Sequence, residues 1–78
     1  MVETHCLKIK SEFYDDVVRR VKNAEVRYND RNFKEGDRLV LCEINEEGAT
    51  GRECVRRIIK MYDLTGIGLN NWVLMFIG

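Results

Sequence analysis

The chain has no proline, three cysteines, one histidine and one tryptophan among its 78 residues. Its longest unbroken apolar run is Trp72–Ile77, far short of the roughly 20 residues of a membrane-spanning helix. Three scattered cysteines cannot form a paired disulfide framework, and the odd count argues further against one. None lies in a Cys-x-x-Cys pair, and His5 alone cannot complete a Cys/His zinc set. The same shortage leaves no Ser-His-Asp or Cys-His constellation for nucleophilic catalysis. Gly66-Ile67-Gly68 is an isolated Gly-x-Gly with no helix after it, so it reads as a turn and not a phosphate loop. No metal and no cofactor are expected. The stretch Met1 to His5 lacks the cationic and apolar regions of a secretory leader, so a cytoplasmic location without a membrane partner is expected. Thirteen basic residues balance thirteen acidic ones, and no global field marks a nucleic-acid partner.

What is present suits one small domain over residues 1–78, with 45% apolar and 33% charged residues. Thr4–Lys10 alternates, with His5, Leu7 and Ile9 on one face and Cys6, Lys8 and Lys10 on the other. Ser11 then stands as an N-cap, and acidic residues crowd the first turns of a helix expected over residues 12–22. Phe13, Val17 and Val21 form its apolar stripe, and Arg19, Arg20 and Lys22 load its C-terminal end. Short alternation predicts a strand at 25–28. Residues 29–36 are polar and turn-forming, with Phe33 pinning that loop to the body. Strands are expected at 37–44 and 52–62, joined by a glycine-bearing hairpin over 45–51. Alternation fails at Arg56-Arg57-Ile58-Ile59, which predicts a bulge. A turn-rich linker over 63–71 leads to a last strand, Trp72–Ile77, whose unbroken apolar character predicts cover on both faces.

One helix cannot cover both faces of an open five-stranded sheet. Closure into a small barrel capped by the helix would remove the exposed edges. The fold expected is therefore α+β and β-rich, a small barrel of about five strands with one helix after the first. Cys6, Cys42 and Cys54, each beside strand-forming residues, are expected to be small buried thiols. Trp72 is expected to pack the core or close the barrel, and His5 to be a satisfied residue of the first strand. A protein adaptor using the outer sheet face would need an apolar surplus that the sequence does not advertise.

Charge is balanced overall but not locally. Residues 19–38 hold seven basic against four acidic groups, and residues 52–60 hold four against one. Brought together, these blocks make a basic face suited to phosphates. At the centre lies Lys22-Asn23-Ala24-Glu25-Val26-Arg27. Glu25 and Arg27 are two apart on a strand and share a face, with Lys22 three residues earlier. At a barrel mouth, this Lys–Glu–Arg cluster could hydrogen-bond a planar polar ring or a phosphate. On an outward face it would be a solvated ion pair of little consequence.

The order His5-x-Leu7-Lys8-Ile9, Phe13-Tyr14, Lys22-x-x-Glu25-Val26-Arg27-x-Asn29-Asp30-Arg31-x-Phe33-x-x-Gly36-Asp37 and Thr50-Gly51-Arg52-Glu53 resembles the ASCH-like small domains. In particular it is similar to their bacterial and phage subfamily DUF3850. The resemblance implies a PUA-like pseudo-barrel and an RNA-related role. It sets the ligand in a cleft beside a Gly-x-Lys-x-x-Glu-x-Arg motif, whose glycine is replaced here by Arg20. That substitution implies one more helical residue in place of a sharp turn. Binding of RNA or a nucleobase-containing ligand, in a cleft between the helix and the barrel mouth, is then expected to use Lys22, Glu25, Arg27, Asn29, Arg31 and Arg52. The alternative is a small amidohydrolase acting on a modified pyrimidine nucleoside such as N4-acetylcytidine, centred on Lys22 and Glu25. Some ASCH relatives use a lysine and a threonine for that reaction, and Glu25 stands here in the threonine's place.

Overall fold

In the computed structural model, which describes Met1–Gly78, alternation in β1 (Thr4–Lys10) buries His5, Leu7 and Ile9 and leaves Cys6, Lys8 and Lys10 exposed. The helix α1 (Ser11–Val18) follows directly, then β2 (Ala24–Tyr28), β3 (Arg38–Asn45), β4 (Gly48–Asp63) and β5 (Trp72–Ile77). A single 3-10 turn, Thr65–Ile67, interrupts the β4–β5 connection. The strands form one sheet in the order β1-β3-β4-β5-β2, parallel between β1 and β3 and antiparallel elsewhere. No helix is long and apolar enough to cross a membrane.

β4 holds the two halves of the sheet together. It pairs with β3 through Arg57 and with β5 from Ile58 onward. At the handover the register slips between Ile58 and Lys60, leaving Ile59 as the extra residue. This is the bulge that the failed alternation predicts, and it bends the 16-residue strand from one partner to the other. At the β3–β4 hairpin, Gly48 takes φ 107°, a conformation that side chains disfavour.

The expected barrel is not closed. β1 and β2 are the two ends of the sheet and share no backbone ladder. Arginines of β2 and the loop after it reach across instead: Arg27 donates to the Lys8 carbonyl at 2.8 Å and Arg31 to the Cys6 carbonyl at 2.7 Å. The physical reason lies in β2, whose inward residues are Glu25 and Arg27. A fully closed seam would strand their charges in a dry interior.

The core is one-sided. Leu39 and Leu41 of β3, Ile58 of β4, and Val73, Met75 and Ile77 of β5 are buried on the inner face. Full burial of such side chains contributes roughly 1.5–3 kcal/mol each. β5 is therefore not covered on both faces as its composition suggests, since Trp72 and Phe76 remain about 40% exposed on the outside. With Val26, Tyr28, Tyr62, Val55 and Ile59 they form an apolar outer face, a surplus that the sequence pattern does not advertise. Cys6 is likewise exposed and not a buried thiol, because it lies on the outward face of β1.

α1 is shorter than its apolar stripe implies. It buries Tyr14 and Val17, while Phe13 and Val21 face outward. Arg20 takes φ 61°, its N–H bonds to the Val17 carbonyl at 3.1 Å, and the Val21 N–H bonds to the Asp16 carbonyl at 2.8 Å. These are the two bonds of a Schellman cap. Arg20 thus adopts the left-handed turn suited to glycine and does not extend the helix. The helix end gains a second anchor from β4, where Arg56 donates to the Val17 carbonyl at 3.0 Å. Ser11 is not the N-cap: Lys10 holds that position, and the Ser11 hydroxyl donates to the Ile44 carbonyl at 3.2 Å.

The loop before β3 is tied down as its one large apolar residue predicts. Phe33 is 2% exposed and meets the His5 ring edge-on at 4.8 Å. His5 Nε2 lies 2.8 Å from Asp37 Oδ2, and Asp37 also accepts the N–H groups of Glu3 and Lys34. Burial alone would raise the Asp37 pKa. Its bonds to His5, Glu3 and Lys34 outweigh that and hold it below the ordinary value.

Candidate functional site

The gap between β1 and β2 is a groove of about 690 Å³. Alternation in β2 turns Val26 and Tyr28 outward and Glu25 and Arg27 inward, towards this gap. The short turn after α1 delivers Lys22 to the same place. Glu25 is only 5% exposed, yet both its oxygens are engaged: Lys22 donates to Oε1 and Arg27 Nε donates to Oε2 at 2.9 Å. The Lys22 ammonium also contacts the Ala24 carbonyl. A sealed carboxylate between two half-exposed cations is unlike a solvated surface pair. Each cation is held in place by the charge it neutralises.

The remaining groove wall strengthens the positive sign. Lys8 and Lys10 project from the exposed face of β1, and Phe13 and Trp72 supply aromatic surface. The lysine ion pairs of the molecule belong to Lys22 and Lys60, so Lys8 and Lys10 have no carboxylate partner. Four cations thus face one acid along the groove. A smaller adjoining hollow of about 270 Å³ shares Arg27 and Trp72 and adds Arg31 and Asp30.

Two comparisons bear on descent. A family model described as "Domain of unknown function (DUF3850)" matches residues 4–77. The chain belongs to the DUF3850 family. It is also similar to the "Uncharacterized 12.9 kDa protein in GpA 3'region" of Escherichia phage P2. Identity is 36% over 75 residues, covering 96% of this chain and 68% of the phage protein.

In this DUF3850 chain, the six residues singled out from sequence fall into four places. Lys22, Glu25 and Arg27 line the groove together. Arg31 lines the adjoining hollow, with Asp30 at 4.0 Å. Asn29 serves the loop, its side-chain oxygen accepting the Phe33 N–H at 2.8 Å.

Arg52 lies elsewhere, in a second buried-carboxylate cluster. Its Nε and Nη2 each donate at 2.7 Å to Glu43, which is 3% exposed, and the Thr50 hydroxyl donates at 2.6 Å. The guanidinium also lies 4.9 Å over the Tyr14 ring and 3.5 Å from Asp15. Arg52 therefore locks β3, β4 and α1 together. Its fork, followed by the Thr50 hydroxyl, holds the Glu43 pKa down to about 2. Burial, more than its neighbours, raises the Tyr14 pKa.

Lys8, Lys10 and Phe13 line the groove but were not among the sequence candidates. The signal for the lysines was available, since alternation sets both on the face of β1 opposite the core. One further cluster could attract a metal: Glu3, His5 and Asp37 bring three potential ligand atoms within 4.8 Å. His5 and Asp37 use those atoms on each other, which explains the cluster without an ion.

Proposed function

We propose that this chain is an RNA-binding module that takes RNA, or a nucleobase-containing ligand, in the groove between β1 and β2. The single observation that carries the reading is the groove's composition: Lys8, Lys10, Lys22 and Arg27 against Glu25, with Phe13 and Trp72 beside them. Lys8 and Lys10 are available for phosphates. Arg27 and Lys22 are pre-positioned on Glu25, which lowers the ordering cost of binding. Aromatic stacking contributes about 1–3 kcal/mol per base in single-strand binding. We also assign the family to the ASCH-like, PUA-like group, a reading supported by the single five-stranded sheet with one helix packed against β1 and β3.

The amidohydrolase reading is disfavoured at the same residues. Both Glu25 oxygens already accept hydrogen bonds, and position 25 carries no hydroxyl nucleophile. The test of binding uses the unpaired lysines, whose removal leaves the Glu25 cluster intact. Labelled single-stranded RNA is titrated at two salt concentrations with wild type and with Lys8→Ala/Lys10→Ala. The double variant is expected to bind more weakly and to lose about 1–1.5 from the slope of log affinity against log salt. Identical affinity and slope would overturn the reading.

A further inference from the structure

The outer face of the sheet carries a second pattern. Arg38 of β3 and Arg57 of β4 are direct cross-strand partners on the exposed side. The arginine ion pairs of the molecule belong to Arg19, Arg27, Arg31 and Arg52, so neither member of this pair has a carboxylate. Like charges directly opposite one another weaken a sheet. Val55 and Ile59, 51% and 62% exposed, flank them around a hollow of about 400 Å³. Arg56, which shares that hollow, has its guanidinium engaged at the end of α1.

From this cationic end the face continues along β5 and β2 as aromatic surface. Tyr62 and Phe76 meet edge-on at 6.1 Å, and Tyr28 and Trp72 meet at 5.8 Å. Three of these four rings are more than 40% exposed, and Trp72 is 38% exposed. Lys60 lies 5.6 Å over the Tyr62 ring while pairing with Glu35 at 3.6 Å. The stripe runs the length of β5, about 20 Å. Trp72, at its far end, also lines the groove between β1 and β2.

We infer that this outer face is a second contact surface for single-stranded nucleic acid. Arg38 and Arg57 hold a phosphate, and the exposed rings stack bases along β5. Charge complementarity favours this occupant: an unpaired arginine couple at the end of an apolar sheet face suits a polyanion that also carries flat apolar rings. A second copy docked through this face would bring a second unpaired Arg38 and Arg57 to the contact, whereas a nucleic acid brings the phosphate that they lack. The inference rests on the groove reading for its class of partner, and Trp72 gives the strand a continuous path between the two surfaces.

The test is a titration of labelled oligouridylate with wild type, Arg38→Ala/Arg57→Ala, Tyr62→Ser/Phe76→Ser and the groove variant Lys8→Ala/Lys10→Ala, alongside sedimentation equilibrium. Each outer-face variant is expected to bind about three- to tenfold more weakly than wild type. The arginine variant is also expected to melt at the same or a higher temperature, because it removes a repulsion. Loss confined to the groove variant overturns this inference and leaves the groove reading standing. Absence of binding by wild type overturns both. Concentration-dependent dimers abolished by Tyr62→Ser/Phe76→Ser, with oligouridylate affinity unchanged, identify the face as a protein contact and also overturn it.

Discussion

Arg27 donates to the backbone carbonyl of Lys8 across 2.8 Å, and this side-chain bond stands where a closed barrel would have a strand-to-strand ladder. The same guanidinium holds Glu25 through Nε at 2.9 Å. One residue therefore joins the two ends of the sheet and fixes the buried carboxylate. Because the joint is a side chain, the edge of β1 is covered and the gap beneath remains open as a groove.

Arg27→Ala removes both functions. It leaves Glu25 with Lys22 alone and uncovers the Lys8 carbonyl. A loss of about 1–3 kcal/mol in stability is expected from chemical denaturation. Arg27→Lys is expected to recover only part of it, because an ammonium lacks the planar fork that reaches both acceptors.

Acid sensitivity is expected to centre on two buried carboxylates. Glu43 is held down to about 2, from an ordinary 4.5, and Asp37 is also lowered. A carboxylate with a depressed folded-state pKa adds stability above its unfolded value and loses it as pH falls through the folded one. Melting temperature should therefore hold above about pH 5 and fall progressively towards pH 2. Glu43→Gln should melt lower at neutral pH and show a shallower acid limb. An unchanged limb in that variant would remove Glu43 from the account.

Arg20→Gly should stabilise the fold. A non-glycine residue in the left-handed region costs roughly 1–2 kcal/mol, and glycine returns about 0.5–1 of that through the unfolded chain. A net gain of about 0.5–1 kcal/mol is expected by denaturant titration.

Much of this architecture was legible from local pattern. Period-two alternation identified β1 and its buried face, the broken alternation at 56–59 located the bulge, and isolated Phe33 identified a loop anchor. These features depend on near neighbours in the chain. The open seam was not legible, because alternation puts Glu25 and Arg27 on one face of β2 without saying that this face points inward, towards β1. The family resemblance points Arg52 to the ligand cleft, but its partner Glu43, nine positions away, meets it only once β3 and β4 pair. The apolar run of β5 suggested double cover. One-sided burial followed instead from there being a single short helix, and that leaves Trp72 and Phe76 on the surface. Arg20 concealed a glycine-type turn because a cap made by backbone bonds leaves no side-chain signature.

Hydrolysis of N4-acetylcytidine is expected to be absent. Incubation at high protein concentration, with cytidine followed by chromatography, should yield nothing above the uncatalysed rate. Release abolished by both Lys22→Ala and Glu25→Gln would instead establish an enzyme at this groove.

The most direct measurement is a titration of isotope-labelled protein with single-stranded RNA, followed residue by residue by NMR. Saturable shifts at Lys8, Lys10, Lys22, Arg27 and the Trp72 indole are the predicted result. A complex that leaves those five signals unmoved, or no complex at all, would contradict the assignment of the groove.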